Sequence, residues 1–284
     1  MTRPFGAGLA VFLLAIFGAV SRPAAVVAAE GAPAASARAT SASATAAGGA
    51  PPVVLITGSN RGIGLEFARQ YAEKGWTVIA TARDPATATE LAAIAAKHPN
   101  VKIDRFDVAD PAQLQALAAK YRGQPIDVLI NNAGWLGERE KQSLDDLDYA
   151  TFEEVMRVNT YAPLAISHAF LDNVVASQQK KIVTITSGLS SQTNTTRGGG
   201  LYFYRISKAG VNMAMRTLQA ETRAQGVKVG ILAPGMVDTR LLRASGYPVA
   251  GITAEKSVTG VIRNIENLAQ DAQIVLYDGS IVPW

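Results

Sequence analysis

From residue 53 onward, short runs rich in apolar residues alternate with longer stretches in which apolar positions recur every three or four residues. Residues 53–57, Val-Val-Leu-Ile-Thr, are a continuous apolar run closed by Gly58, the pattern of a strand buried on both faces. Residues 64–74 carry helical spacing and stop at Gly75. The same alternation predicts strands at 77–81, 101–106, 127–131, 181–186, 227–232 and 273–277, and helices at about 86–97, 111–121, 151–177 and 201–225. Pro111 opens its helix, where a missing N–H is tolerated, while Pro163 falls inside a helix and predicts a kink. Strands alternating with helices imply a parallel sheet covered on both faces, and right-handed crossovers lead to the doubly wound order. The expectation is an α/β protein: a single doubly wound Rossmann domain over residues 53–284, with a seven-stranded parallel sheet and helices on both faces.

Residues 1–52 break this rhythm. An apolar run at 5–20 follows Arg3, and Val27-Ala28-Ala29 precedes Glu30. Residues 1–29 read as a signal peptide or membrane anchor, with any membrane association confined to residues 5–20. Residues 30–52 read as a flexible Ala/Ser/Pro-rich linker. A translated leader predicts an exported (periplasmic or secreted) or membrane-anchored protein; a mis-assigned start predicts a cytoplasmic one. None of the 284 residues is cysteine, which excludes disulfides, thiolate metal sites and thiol nucleophiles. The net charge of +4 comes without a Lys/Arg run, so nothing points to nucleic acid. His98 and His168 are isolated, and no metal site is expected.

Chemistry enters at two places. Thr57-Gly58-Ser59-Asn60-Arg61-Gly62-Ile63-Gly64 lies between the first strand and the first helix. Glycines there permit a tight turn and close approach of a pyrophosphate to the helix N-terminus; the alternative is a purely structural turn. The second strand ends at Arg83, where a carboxylate would favour a free ribose 2′-OH. Arg83 and Arg61 suit a 2′-phosphate instead, so the reading is NADP(H) over NAD(H). The alternative is that Arg83 pairs with Asp84. Asp107 and Val108, at the end of the third strand, are placed to touch an adenine, unless Asp107 caps the next turn. Farther along, Tyr204 and Lys208 are spaced to share one helix face. A lysine ammonium is expected to lower the pKa of the phenol, making it a proton donor to a substrate oxygen. Together these features predict an alcohol/carbonyl oxidoreductase.

The ordered set Thr57-Gly58-x-x-x-Gly62-x-Gly64, Asn131-Asn132-Ala133-Gly134, Ser187, Tyr204-x-x-x-Lys208 and Pro234-Gly235-Met236-Val237-Asp238-Thr239 resembles the classical short-chain dehydrogenases/reductases over residues 53–284. The ending, residues 276–284, is similar to the small carbonyl reductases of the C-factor/sniffer branch. The resemblance implies a catalytic group of Asn159, Ser187, Tyr204 and Lys208. Tyr204 would be the general acid, Ser187 would hold the substrate oxygen, and Lys208 would tune Tyr204 and hold the nicotinamide ribose. Asn159 would anchor a proton-relay water. Gly58, Asn60, Arg61, Gly62, Ile63, Gly64, Asn132, Ala133, Gly134, Pro234, Gly235, Val237 and Thr239 would line the cofactor cleft, with Thr239 at the nicotinamide carboxamide. Thr186, Ser190 and Ser191 compete with Ser187, Tyr202 competes with Tyr204, and Asn159 has the alternative of bonding helix backbone.

The implied activity is NADPH-dependent reduction of a small-molecule aldehyde, ketone or quinone. Alternatives are an NADP-dependent alcohol dehydrogenase and a nucleotide-binding signalling or sensor protein with little turnover. The family resemblance further implies a homodimer or homotetramer paired through the long helices. Two segments are expected to shape the substrate pocket: the long Gly-containing loop at 194–200, and an irregular stretch at 241–253 whose Leu241, Leu242, Tyr247 and Val249 predict a mostly apolar substrate.

Overall fold

The strands form where both faces need covering. β1 (Val53–Ile56), β2 (Thr77–Ala82), β3 (Val101–Arg105), β4 (Val128–Asn131), β5 (Lys181–Ile185), β6 (Lys228–Ala233), β7 (Ile274–Leu276) and β8 (Ile281–Val282) make one sheet in the order β3-β2-β1-β4-β5-β6-β7-β8. The structure, a computed structural model, describes residues 50–196, 200–248, 250–271 and 273–284. The leader at 1–29, linker residues 30–49, Arg197 to Gly199 and Val249 therefore lie outside the described residues.

Strands β1 to β7 are parallel. The eighth corrects the expected count of seven: β8 returns antiparallel, pairing Val275 with Ile281 and Ile274 with Val282. Gly279, at φ 93°, and Asp278, which accepts from the Ser280 N–H at 3.0 Å, turn the chain back. Two residues are too few to show a strand period.

Alternation along each strand divides the core. Leu55, Ile79, Leu129, Ile182 and Ile231 face one side, while Val54, Ile56, Val78, Ala80, Val128 and Ile130 face the other. The second face is covered by α1 (Gly62–Glu73), α2 (Thr89–Lys97) and α9 (Ala254–Glu266), through Phe67, Tyr71, Leu91, Val258, Val261 and Ile262. The first face is covered by α3 (Pro111–Lys120), α5 (Ala162–Ala169), α6 (Leu171–Val175) and α7 (Tyr202–Thr222). Helix α7 supplies Val211, Met215 and Leu218 at helical spacing. The strand order reverses between β1 and β4, so the loops leaving their carboxyl ends diverge and leave a crevice.

The helix expected at 151–177 is three helices and a wide turn. α4 (Tyr149–Met156) starts where Asp148 accepts from the Thr151 N–H at 2.7 Å. A π-turn, Arg157–Tyr161, follows before α5 begins. Pro163 has no N–H for the Asn159 carbonyl four residues earlier, and the chain widens so that the Ala162 N–H reaches back to the Arg157 carbonyl. Phe170, fully buried with φ −106° and ψ 9°, then breaks α5 from α6. The C-terminal turn of the helix expected to end at 225 is a 3-10 turn, Arg223–Gln225, closed by Gly226 at φ 78°.

Candidate active site

The turn after β1 is stitched to the turn after β4. Thr57 Oγ1 accepts from the N–H groups of Asn132 (3.0 Å) and Ala133 (3.1 Å), and Asn132 Nδ2 donates to the carbonyls of Thr57 (2.8 Å) and Gly58 (3.1 Å). This contact needs glycine twice. Gly58 is at φ +68° with the Ala133 Cα 3.0 Å from where a Cβ would be, and a Cβ on Gly64 would enter the Gly58 carbonyl oxygen. Ser59, buried, donates its N–H to the Thr81 carbonyl at 2.7 Å, tying the turn to β2. Asn60 is half-buried in the turn and Ile63 packs on the core. The first turn of α1 has no acidic residue, and Arg61 gives it no side-chain cap. Its N–H groups are thus a ready partner for an anion.

Arg61 and Arg83 are both exposed, and neither has a carboxylate partner among the described residues. Asp84 does not pair with Arg83: it accepts from the Ala86 N–H and the Thr87 hydroxyl, both at 3.1 Å. Asp107 takes the capping alternative, accepting from the Ala109 N–H at 3.0 Å, and Val108 packs partly buried on the core. After β6 the chain folds back over the crevice. Gly235 turns at φ +79°, the Pro234 carbonyl accepts from Ser257 (2.6 Å), Val237 bridges to Ile252, and Thr239 caps α8 (Arg240–Ser245). The Thr239 methyl lies 3.4 Å from the Cβ position of Gly62, so this segment meets the glycine turn.

The four expected catalytic residues converge. Gly134 marks the centre: its Cβ position is 3.4 Å from Asn159 Oδ1 and 3.6 Å from Lys208 Nζ. Asn159, fully buried in the π-turn, uses its side chain on other segments. Oδ1 accepts from the Trp135 N–H (2.8 Å), and Nδ2 donates to the Trp135 carbonyl (2.7 Å) and to Ser207 (3.0 Å). It does not bond its own helix, as the alternative had it, but fastens α7 to the β4 loop. Tyr204 and Lys208 lie on the buried side of α7; the Ser187 hydroxyl accepts from the Leu189 N–H at 3.2 Å and is close enough to Tyr204 to draw its pKa down. The rival hydroxyls are engaged elsewhere: Thr186 with Asn212 (2.6 Å), Ser190 with the Ser187 carbonyl (2.6 Å), and Ser191 with the Asn194 N–H (3.1 Å). Tyr202 is at the surface.

One expectation is reversed. Lys208 does not lower the pKa of Tyr204 here. Burial pushes the phenol up to about 12, with only the Ser187 hydrogen bond pulling it back. Lys208 Nζ is 5.8 Å from the ring centroid and donates to the Ile185 carbonyl at 2.9 Å. Burial also draws its own pKa down to about 8, because a dry pocket disfavours either charge.

That dryness comes in part from Leu136, Leu189 and Leu201, which the sequence reading missed. Leu136, Leu201 and Tyr204 form a buried apolar cluster with Leu189 and Tyr247 packed against it. Of the apolar residues expected to face substrate, Tyr247 joins this cluster, whereas Leu241 is exposed. The stretch expected to be irregular from 241 instead begins as α8, capped by Gly246 at φ 70°. The cluster residues come from four separate segments, so no local period announces them.

A family model described as short chain dehydrogenase matches residues 52–247. The chain is 35% identical over 173 residues to the C-signal of Myxococcus xanthus, covering 60% of this chain and all of that protein. Among solved structures it is similar to an NADPH-bound carbonyl reductase from chicken fatty liver, with 32% identity, a TM-score of 0.75 and coverage of 82% and 99% of the two chains. It is also similar to the carbonyl reductase Sniffer of D. melanogaster, with 25% identity, a TM-score of 0.72 and coverage of 83% and 100%. With the glycine turn, the buried tyrosine and lysine and the strand order in agreement, the chain belongs to the short chain dehydrogenase family.

Proposed function

We propose that this oxidoreductase is an NADPH-dependent reductase of an aldehyde, ketone or quinone. The observation that carries the reading is Tyr204, buried in an apolar cluster with the Ser187 hydroxyl near enough to lower its pKa and Lys208 on the same helix face. The residues fit the cofactor: the turn packs so tightly that a Cβ at Gly58 or Gly64 would strike backbone, the first turn of α1 lacks a cap, and Arg61 and Arg83 are available to a 2′-phosphate. When bound, the reduced nicotinamide supplies the two electrons and the hydrogen that go to the carbonyl carbon. Ser187 and Tyr204 hold the carbonyl oxygen, and Tyr204 gives it a proton. Lys208, on the same helix face with its Nζ beside the Gly134 turn, would hold the nicotinamide ribose. The Asn159 side chain is fully engaged, which leaves its main-chain carbonyl, deprived of the ordinary helical donor by Pro163, to hold a relay water.

The likeness to the C-signal protein favours a second reading, a nucleotide-binding signalling protein with little turnover. One experiment separates them: NADPH oxidation by the full chain on a panel of quinones, aromatic aldehydes and diketones, with NADH in parallel. Turnover with NADPH supports the reductase; NADPH binding without turnover on any substrate supports the signalling reading. We further read the exposed Tyr161 and Leu164 of the α4–α5 face, and Ile206 and Met213 of α7, as the surface of a homodimer or homotetramer, to be checked by light scattering.

A further inference from the structure

Helix α7 begins with a problem of its own. Its N-cap, Leu201, is left-handed at φ 56° and has no side-chain oxygen to accept from the first N–H groups. These groups start a helix whose Phe203 and Tyr204 are buried, and an orphaned buried N–H is destabilising because it loses water without gaining a partner. The partner comes from 62 residues earlier. Gln142 Oε1 accepts from the Tyr204 N–H at 3.1 Å, and the Gln142 carbonyl accepts from the Tyr202 N–H at 3.4 Å. The same amide donates from Nε2 to the carbonyls of Leu136 (2.8 Å) and Glu138 (3.3 Å). Gln142 is completely buried. Gly137, at φ +81°, makes room for it, since a Cβ there would stand 2.8 Å from Nε2.

We propose that Gln142 is a positioning residue for the reaction: its one amide holds the first turn of α7, and with it the Tyr204 phenol, at a fixed spacing from the Leu136 wall of the apolar pocket. The proposal rests on the reductase reading given above. The geometry requires glutamine. Glutamate keeps the acceptor for the Tyr204 N–H but, when ionised, loses both donors; methionine matches the length and loses everything polar. The opposite end of α7 provides an internal control. Gln219 is also buried and bridges in the same way, donating to the Val227 carbonyl (3.0 Å) and accepting from the Val229 N–H (2.7 Å), but its partners belong to β6 and the turn before it.

The test compares the full-length wild type with Gln142→Met, Gln142→Glu and Gln219→Met. Thermal unfolding, NADPH affinity, and kcat and KM across carbonyl substrates of increasing size are measured, with hydrogen exchange at the Tyr204 amide. Gln142→Met is expected to lower kcat by roughly tenfold or more, because small misplacement of a reacting group is amplified in rate, with NADPH affinity unchanged. Gln219→Met is expected to lose comparable thermal stability with wild-type kcat. Gln142→Glu is expected to recover part of kcat while its KM values shift with substrate size, since the tie to Leu136 is gone. A wild-type kcat in Gln142→Met, or a fall matched by Gln219→Met, would overturn the proposal. Should Gln142→Met not fold, Gln142→Glu decides: wild-type KM values for every substrate would overturn it. A wild type that turns over nothing would sink the reductase reading instead. Exchange at Tyr204 then decides the tie, expected faster in Gln142→Met than in Gln219→Met and refuting it if equal.

Discussion

Replacing Lys208 with methionine should stabilise the cofactor-free protein while abolishing its activity. Lys208 is 5% exposed, and burial lowers its pKa from 10.5 to about 8. At about 1.4 kcal/mol per unit, that shift is a penalty on the order of 3 kcal/mol against the charged form. Methionine removes the penalty and fills similar space, but leaves the Ile185 carbonyl without its 2.9 Å donor, a loss of about 1 kcal/mol. The net gain is about 2 kcal/mol, or roughly 4–8 °C in melting temperature for a domain of this size. The sign has a pH signature. Below pH 8 the folded and unfolded chains both hold the proton, so the full penalty is present. Between about 8 and 10.5 the unfolded chain keeps a proton that the folded chain has released, and wild-type stability rises with pH relative to the variant. The assay is thermal or urea unfolding of both proteins without cofactor, read as their difference from neutral pH to pH 10 so that the high-pH titration of Tyr204 cancels. A variant less stable than wild type at neutral pH, or a difference that stays flat with pH, would refute the assignment of burial as the controlling cause.

Arg83→Ala should weaken NADPH binding by roughly 10–100-fold, the worth of a charge-assisted hydrogen bond, and leave NADH binding unchanged; fluorescence titration with both cofactors checks this, and equal losses would contradict it. Gly64→Ala should fail to bind either cofactor and unfold at lower temperature, because its methyl group meets the Gly58 carbonyl and the Asn132 amide; calorimetry with and without NADPH measures both effects. Deleting Trp284 should lower the melting temperature by a few degrees and raise KM. Its indole lies 4.8 Å from the Arg216 guanidinium, a contact worth about 0.5–1 kcal/mol, and its carbonyl accepts from the Thr193 N–H and hydroxyl at 2.8 and 2.6 Å, holding the segment that follows Ser187. Unchanged KM would dismiss the link to the site.

What the sequence discloses and what it hides divide along a physical line. Most of strands β1 to β7 are legible because burial leaves apolar runs such as Val53 to Ile56, whereas edge strand β3, with Lys102 and Arg105 exposed, is legible by its alternation. Strand β8 is not, since two residues carry no period. The Tyr204/Lys208 pair is legible because four residues is a helical repeat. The sign of their pKa shifts is not, because desolvation depends on Leu136, Leu189 and Tyr247 arriving from distant segments. Pro163 announces a disturbance, but not that the chain would answer with a π-turn presenting Asn159 to Trp135 and Ser207. Gln142 is illegible for the same reason as the apolar wall: its partners are chosen by tertiary packing, and a glutamine in a polar loop carries no pattern.

The most direct test of the central claim is NADPH consumption by full-length wild type and Tyr204→Phe on the best carbonyl substrate, with NADPH affinity measured alongside. The account predicts a rate loss of roughly 100–10,000-fold, the range for a positioned general acid, with cofactor affinity retained. A phenylalanine variant that reduces the substrate at the wild-type rate would contradict it.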